Sequence, residues 1–110
     1  MTPADLPAMD FRSRFDRLRA ELDGAGCDAL LVTHLVNVRY LTGFTGSSAL
    51  LLVQPDRALF VSDGRYRDQA AEEIGAAGVD VDIEILNVGQ KEVVVDSAVG
   101  VARLGLEAED

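Results

Sequence analysis

Apolar residues recur along this chain with two different periods, and the changes of period mark the elements. Phe11, Phe15, Leu18 and Leu22 are spaced by four, three and four, which is one face of a helix. Arg12, Asp16, Arg19 and Asp23 fall toward the other faces, and Gly24 and Gly26 follow as a left-handed stop. The spacing predicts a helix over 10–23. Ala29 to Val32 is a short, continuous apolar run behind the turn signal DGAGCD, which predicts a strand buried on both faces. The next segment, HLVNVRYLTGF, is ambiguous. Asn37, Thr42 and Gly43 favour turns, whereas Val38, Tyr40 and Leu41 fit a short helical turn.

The stretch SALLLVQPDRALFVSD predicts a hairpin. Leu50 to Val53 and Leu59 to Val61 become antiparallel neighbours about Gln54-Pro55-Asp56-Arg57, with Pro55 at the second turn position. Tyr66, Ala70, Ile74 and Ala77 share a helix face, with Asp63 as N-cap and Gly78 as stop. In VDVDIEIL, Val81, Ile83 and Ile85 point one way and Asp82 and Glu84 the other, a strand with one solvated face near a sheet edge. GQKEVVVDSAVG fits helix or strand, and the spacing of Val94, Ala98 and Val101 favours a short helix. RLGLEAED reads as a last strand, and the chain then stops without a polar tail, as expected of a domain cut from something longer. This order predicts an α/β fold, a mixed sheet with helices packed on its faces, in a single domain over 1–110.

Composition narrows the partners. At 110 residues and 48% apolar, the chain holds enough material for one compact core. The formal net charge of −9 argues against nucleic acid and anionic membrane surfaces. The acids are unevenly placed: residues 72–110 hold ten acids against Lys91 and Arg103, while residues 1–71 are close to balance. That end is either a solvated acidic surface or one that faces something basic. A lone cysteine, Cys27, allows no internal disulfide, and MTPADLPAMD lacks the basic and apolar regions of a signal peptide, so a cytoplasmic setting is expected. No apolar run approaches the ~18 residues of a membrane span.

Catalytic chemistry is sparse. His34 and Cys27 are too few for a zinc site, and no nucleophile-elbow signature accompanies His34. His34 reads as a loop histidine with a local hydrogen bond, and Cys27 as a small buried residue opening a strand. GAGCDA follows a helix and precedes a strand, the reverse of the dinucleotide fingerprint. GFTGSS could cradle phosphate through backbone N–H groups but lacks the lysine of a P-loop and leads into a strand. Asp80, Asp82 and Glu84 read as a solvated strand face. Asp63, ending a buried strand and opening a helix, lies where ligands gather in α/β sheets, although capping alone also explains it. No catalytic residue and no metal ligand is assigned.

Three segments carry a resemblance. NVRYLTGFTGSSALLLV followed by a hairpin, then ALFVSDGRYRDQA, then RLGLEAED, resembles the N-terminal domain of the creatinase/prolidase family, nearest its Xaa-Pro aminopeptidases and dipeptidases. The resemblance runs from about Phe11 to the last residue. It implies a three-layer α/β/α domain with a mixed, ribonuclease H-like sheet. It further implies a missing C-terminal "pita-bread" catalytic domain that holds two divalent metal ions, manganese or cobalt, and hydrolyses the bond before proline. This domain would then be non-catalytic, serving dimer formation and shaping the substrate entrance. The expected partners are its own catalytic domain, a second copy and proline-containing peptides. By resemblance, Asn37, Arg39, Tyr40, Phe44, Thr45, Gly46 and Ser47 line that surface, with Asp63, Arg65 and Tyr66 beside them. An arginine there would pair with a carboxylate, either on a substrate or on Asp63. The alternative is a free-standing α/β module for ligand binding or protein assembly, including a creatinase-like or pseudo-enzyme relative.

Overall fold

The computed structural model describes the backbone of residues 6–97 and 104–106 and the side chains of 11–97. Helix α1 (Leu6–Ala25) is longer than the periodicity predicts. Its stop is Gly26, at φ 72°, whose N–H donates to the Asp23 carbonyl while the Cys27 N–H reaches back to Leu22 at 2.9 Å. Gly24 lies inside the helix. Strand β1 (Ala29–Val32), helix α2 (Leu35–Thr42), strands β2 (Leu50–Val53) and β3 (Ala58–Ser62), a single 3-10 turn (Gly64–Tyr66), helix α3 (Arg67–Ala77), strand β4 (Asp82–Ile85), helix α4 (Gln90–Ser97) and strand β5 (Leu104–Leu106) follow.

The five strands form one mixed sheet in the order β4-β3-β2-β1-β5. The β2–β3 hairpin forms as its turn residues predict: Val53 opposes Ala58, and the Gln54 N–H donates to the Arg57 carbonyl at 2.8 Å. Strand β1 runs antiparallel to β2 and parallel to β5, and β4 runs parallel to β3 at the far edge. The acids of β4 therefore lie on an edge strand, where charge discourages pairing with another chain.

Alternation along the strands assigns each residue to a layer. Val32, Leu51, Val53, Ala58 and Phe60 pack with Phe15 and Leu22 of α1, Val38 and Leu41 of α2, and Ala70 and Ile74 of α3. Ala29, Leu52 and Val61 point to the other face, where Val94 of α4 covers them. The result is the expected α/β/α arrangement. Strand β1 faces a layer on each side, but only Ala29 and Val32 are fully buried; Leu30 and Leu31 are half-buried. Of the proposed α4 face, Ala98 and Val101 lie outside the described residues. The turn of the hairpin joins both layers. The Gln54 side chain donates to the Ser97 carbonyl of α4 at 3.2 Å, and its backbone carbonyl accepts from Arg19 of α1 at 2.9 Å.

Candidate functional site

The ambiguous segment resolves as a helix and then a loop. In α2, Val38, Leu41 and Thr42 are buried, while Val36 is 80% and Tyr40 50% exposed. The His34 carbonyl opens the helix by accepting from the N–H groups of Asn37 and Val38, both at 3.0 Å. The helix ends where the Thr42 hydroxyl donates back to the Val38 carbonyl at 2.7 Å and Gly43, at φ 80°, donates to the Arg39 carbonyl. Asn37, Arg39 and Tyr40 therefore sit on a helix rather than in a loop. The Arg14 guanidinium stacks 4.1 Å from the Tyr40 ring centroid and donates to the Tyr40 carbonyl at 2.7 Å, so one face of that ring is already covered. A groove of about 290 Å³ between α1, α2 and β1 includes Arg17, Leu18, Leu30, Asn37 and Tyr40. A second, of about 410 Å³, lies between Phe11, Val36, Arg39, Tyr40, Gly43 and Thr45.

Residues 43–49 form a loop held at Phe44, Thr45, Ser47 and Ser48. Phe44 is 1% exposed and meets Phe60 and Tyr66 edge-on at 4.9 and 5.4 Å, so it anchors the loop from the core and does not reach the surface. Thr45 gives its N–H to the Glu73 carboxylate at 2.9 Å and its hydroxyl at 2.8 Å, and the Gln69 amide donates to that same hydroxyl at 3.0 Å. Ser47 and the Tyr66 phenol share a short hydrogen bond. Behind the loop, the Ser62 hydroxyl donates to the Ser48 carbonyl at 2.6 Å. Gly46 is required for space: a Cβ there would come within 2.7 Å of Phe44 and 2.9 Å of Tyr66. Because Thr45 gives its N–H to a carboxylate, this loop is poorly suited to cradle a phosphate.

At the end of β3, Asp63 caps the 3-10 turn through the Arg65 N–H. The Arg65 side chain also forks onto both Asp63 oxygens, at 3.0 and 2.9 Å. Asp63 is thus the carboxylate that Arg65 meets in this structure, and Arg65 itself remains 69% exposed. The Arg65 fork holds the Asp63 carboxyl below its ordinary range, and Asp63 in turn raises the guanidinium. The Ser47 hydroxyl lowers the Tyr66 phenol. For Glu73, burial raises the carboxyl, but the bonds from Thr45 and Gln69 and the Arg39 charge outweigh it, so the net shift is downward.

The structure thus joins Thr45, Gly46 and Ser47 to Tyr66 in one continuous surface, with Asp63 and Arg65 paired beside it and Asn37, Arg39 and Tyr40 on the adjoining helix. Glu73 and Asn87, whose amide oxygen accepts from the Gly64 N–H at 2.9 Å, belong to this framework but lie outside the quoted motifs, and Gln69 lies within one without being singled out. The available signal was the spacing of Gln69 and Glu73, four residues apart on one face of a helix. Cys27 is half-buried and free. Among the described residues no three His, Cys, Asp or Glu converge to hold a metal ion. No helix among them is long and apolar enough to cross a membrane.

Residues 14–109 match the Creatinase/Prolidase N-terminal domain family. An uncharacterized peptidase of Bacillus subtilis, YqhT, is 41% identical over 61 residues, covering 56% of this chain and 17% of that protein. The crystal structure of the N-terminal domain of the cytoplasmic peptidase PepQ from Mycobacterium tuberculosis is 43% identical, with a TM-score of 0.69, covering 86% of this chain and 72% of that one. A Xaa-Pro dipeptidase from Bacillus anthracis superposes with a TM-score of 0.77 at 30% identity, over 88% of this chain and 27% of its own. This chain therefore spans only a minor part of the YqhT and dipeptidase chains. By sequence and by fold, it belongs to the creatinase/prolidase N-terminal domain family.

Proposed function

We propose that this chain is the non-catalytic N-terminal domain of a cytoplasmic, proline-specific metallopeptidase, a Xaa-Pro aminopeptidase or dipeptidase. In this reading it contributes to subunit contact and shapes the substrate entrance. Two divalent metal ions, manganese or cobalt, and the hydrolysis itself belong to a separate catalytic domain of the longer protein. The partners are that domain, a second copy and proline-containing peptides. The carrying observation is the outward face of α2. Val36 and Tyr40 are left exposed beside Arg39, next to a loop fastened on its other side, as suits a surface that meets something else.

The test uses the longer protein. Arg39→Ala and Tyr40→Ala variants are assayed on Xaa-Pro peptides with manganese and weighed by light scattering. The expected result is a loss of about tenfold or more in kcat/KM, or a change of oligomeric mass. Both properties staying unchanged in both variants overturns the reading. The 110-residue chain alone leaves the same peptides uncut; turnover by it refutes the non-catalytic role.

A further inference from the structure

Glu73 stands outside every motif, yet it holds more of the loop than any other side chain. Its Oε1 accepts the Thr45 N–H at 2.9 Å, the Thr45 hydroxyl at 3.1 Å and the Gln69 amide at 3.1 Å, and its Oε2 accepts the Thr45 hydroxyl at 2.8 Å. Gln69 closes the triangle by donating to the Thr45 hydroxyl at 3.0 Å. Loops that contain two glycines and lie on the surface tend to move. Elsewhere the loop is held by the Phe44 ring in the core, by the Ser47–Tyr66 bond and, at its far end, by Ser48, which meets Ser62 and the Asp63 carboxylate. At the Thr45 end the charge is brought by Glu73, and charge-assisted hydrogen bonds are roughly twice as strong as neutral ones. The Arg39 charge of α2 also favours the ionised form of this carboxylate.

We propose that Glu73, oriented by Gln69, is the positioning residue of the 43–49 loop: it latches Thr45 and so sets where Gly46 and Ser47 stand relative to Arg39. The latch is a property of this chain, and only its kinetic consequence rests on the function proposed above.

Per-residue amide exchange on the 110-residue chain tests it. In Glu73→Ala, exchange at Thr45 rises about tenfold or more. In Glu73→Gln, which keeps one carbonyl acceptor and the side-chain volume, it rises less. Leu51, Leu52 and Phe60 serve as internal controls and keep their rates. Unchanged exchange at Thr45 overturns the latch. So does an equal rise at the three core amides, because Glu73 would then act only on global stability. In the longer protein, Glu73→Ala raises KM for Xaa-Pro peptides with kcat nearly kept. Faster exchange at Thr45 with KM unchanged upholds the latch and refutes the entrance reading.

Discussion

Gly43 and Gly46 look alike in TGFTGS, and the structure needs them for different reasons. Gly43 has φ 80° at the end of α2, a conformation that costs a residue with a side chain roughly 1–2 kcal/mol. Gly46 has no positive φ; its hydrogen faces the Phe44 and Tyr66 rings. Phe44 is wedged against Phe60 and has nowhere to go, so Gly46→Ala overpacks the site at a cost of about 1–3 kcal/mol. Gly75 in α3 meets nothing within 4 Å, so Gly75→Ala stabilises by about 0.5–1 kcal/mol. Urea unfolding of the two variants gives midpoints on opposite sides of the wild type. A sequence reading marks both positions as turn or breaker residues, because identity alone does not reveal which side of a Cα is crowded.

Among the elements, strands were the more legible. The residues 50–53 and 59–61 alternate between two buried layers, and Gln54-Pro55-Asp56-Arg57 closes the hairpin as its turn chemistry requires. Helix α2 was less so, because Asn37, Thr42 and Gly43 each favour a turn when considered alone. Its stability comes from contacts that local propensity does not contain. Val38 and Leu41 enter the core, and Thr42, fully buried, donates to Val38 and accepts the Phe44 N–H at 3.2 Å. Thr42→Val keeps the shape and leaves that N–H in the core without its partner. The expected loss is about 1–3 kcal/mol, read as a lower thermal midpoint with an unchanged helical circular dichroism signal at 20 °C. Strand β4 shows the opposite case. Its alternating acids announced an edge, and it is an edge.

Across the whole molecule, charge is unevenly spread. On α1, Arg12, Arg14, Arg17 and Arg19 are balanced by Asp10, Asp16, Glu21 and Asp23, whereas acids prevail on α3 (Asp68, Glu72, Glu73), at the β4 edge (Asp82, Glu84) and on α4 (Glu92, Asp96). Asp63 and Glu73 are tied into the fold. Asp63 faces Arg65 and Ser48; Glu73 faces Thr45, Gln69 and Arg39. Both have folded values below their unfolded ones, so the unfolded chain binds protons first as pH falls. Their contribution is fully present above about pH 4, the unfolded value, and is lost as pH drops through the folded values. Wild type should therefore exceed an Asp63→Asn/Glu73→Gln double variant in stability at pH 7. The two should converge toward pH 3, as followed by urea midpoints at each pH. A gap that persists undiminished at pH 3 contradicts this assignment.

The sequence by itself determined the helix of Phe11 to Leu22, the hairpin, the capping aspartate, the edge strand and the family, because each depends on residues near in the chain or on a quoted motif. Tertiary structure alone decided that β5 pairs with β1 in parallel, that Phe44 turns inward, and that Glu73 fastens a loop 28 residues before it. Those contacts join segments that no period or turn signal connects. They form only when the sheet has brought the end of β3, the start of α3 and the end of α2 to the same edge of the molecule.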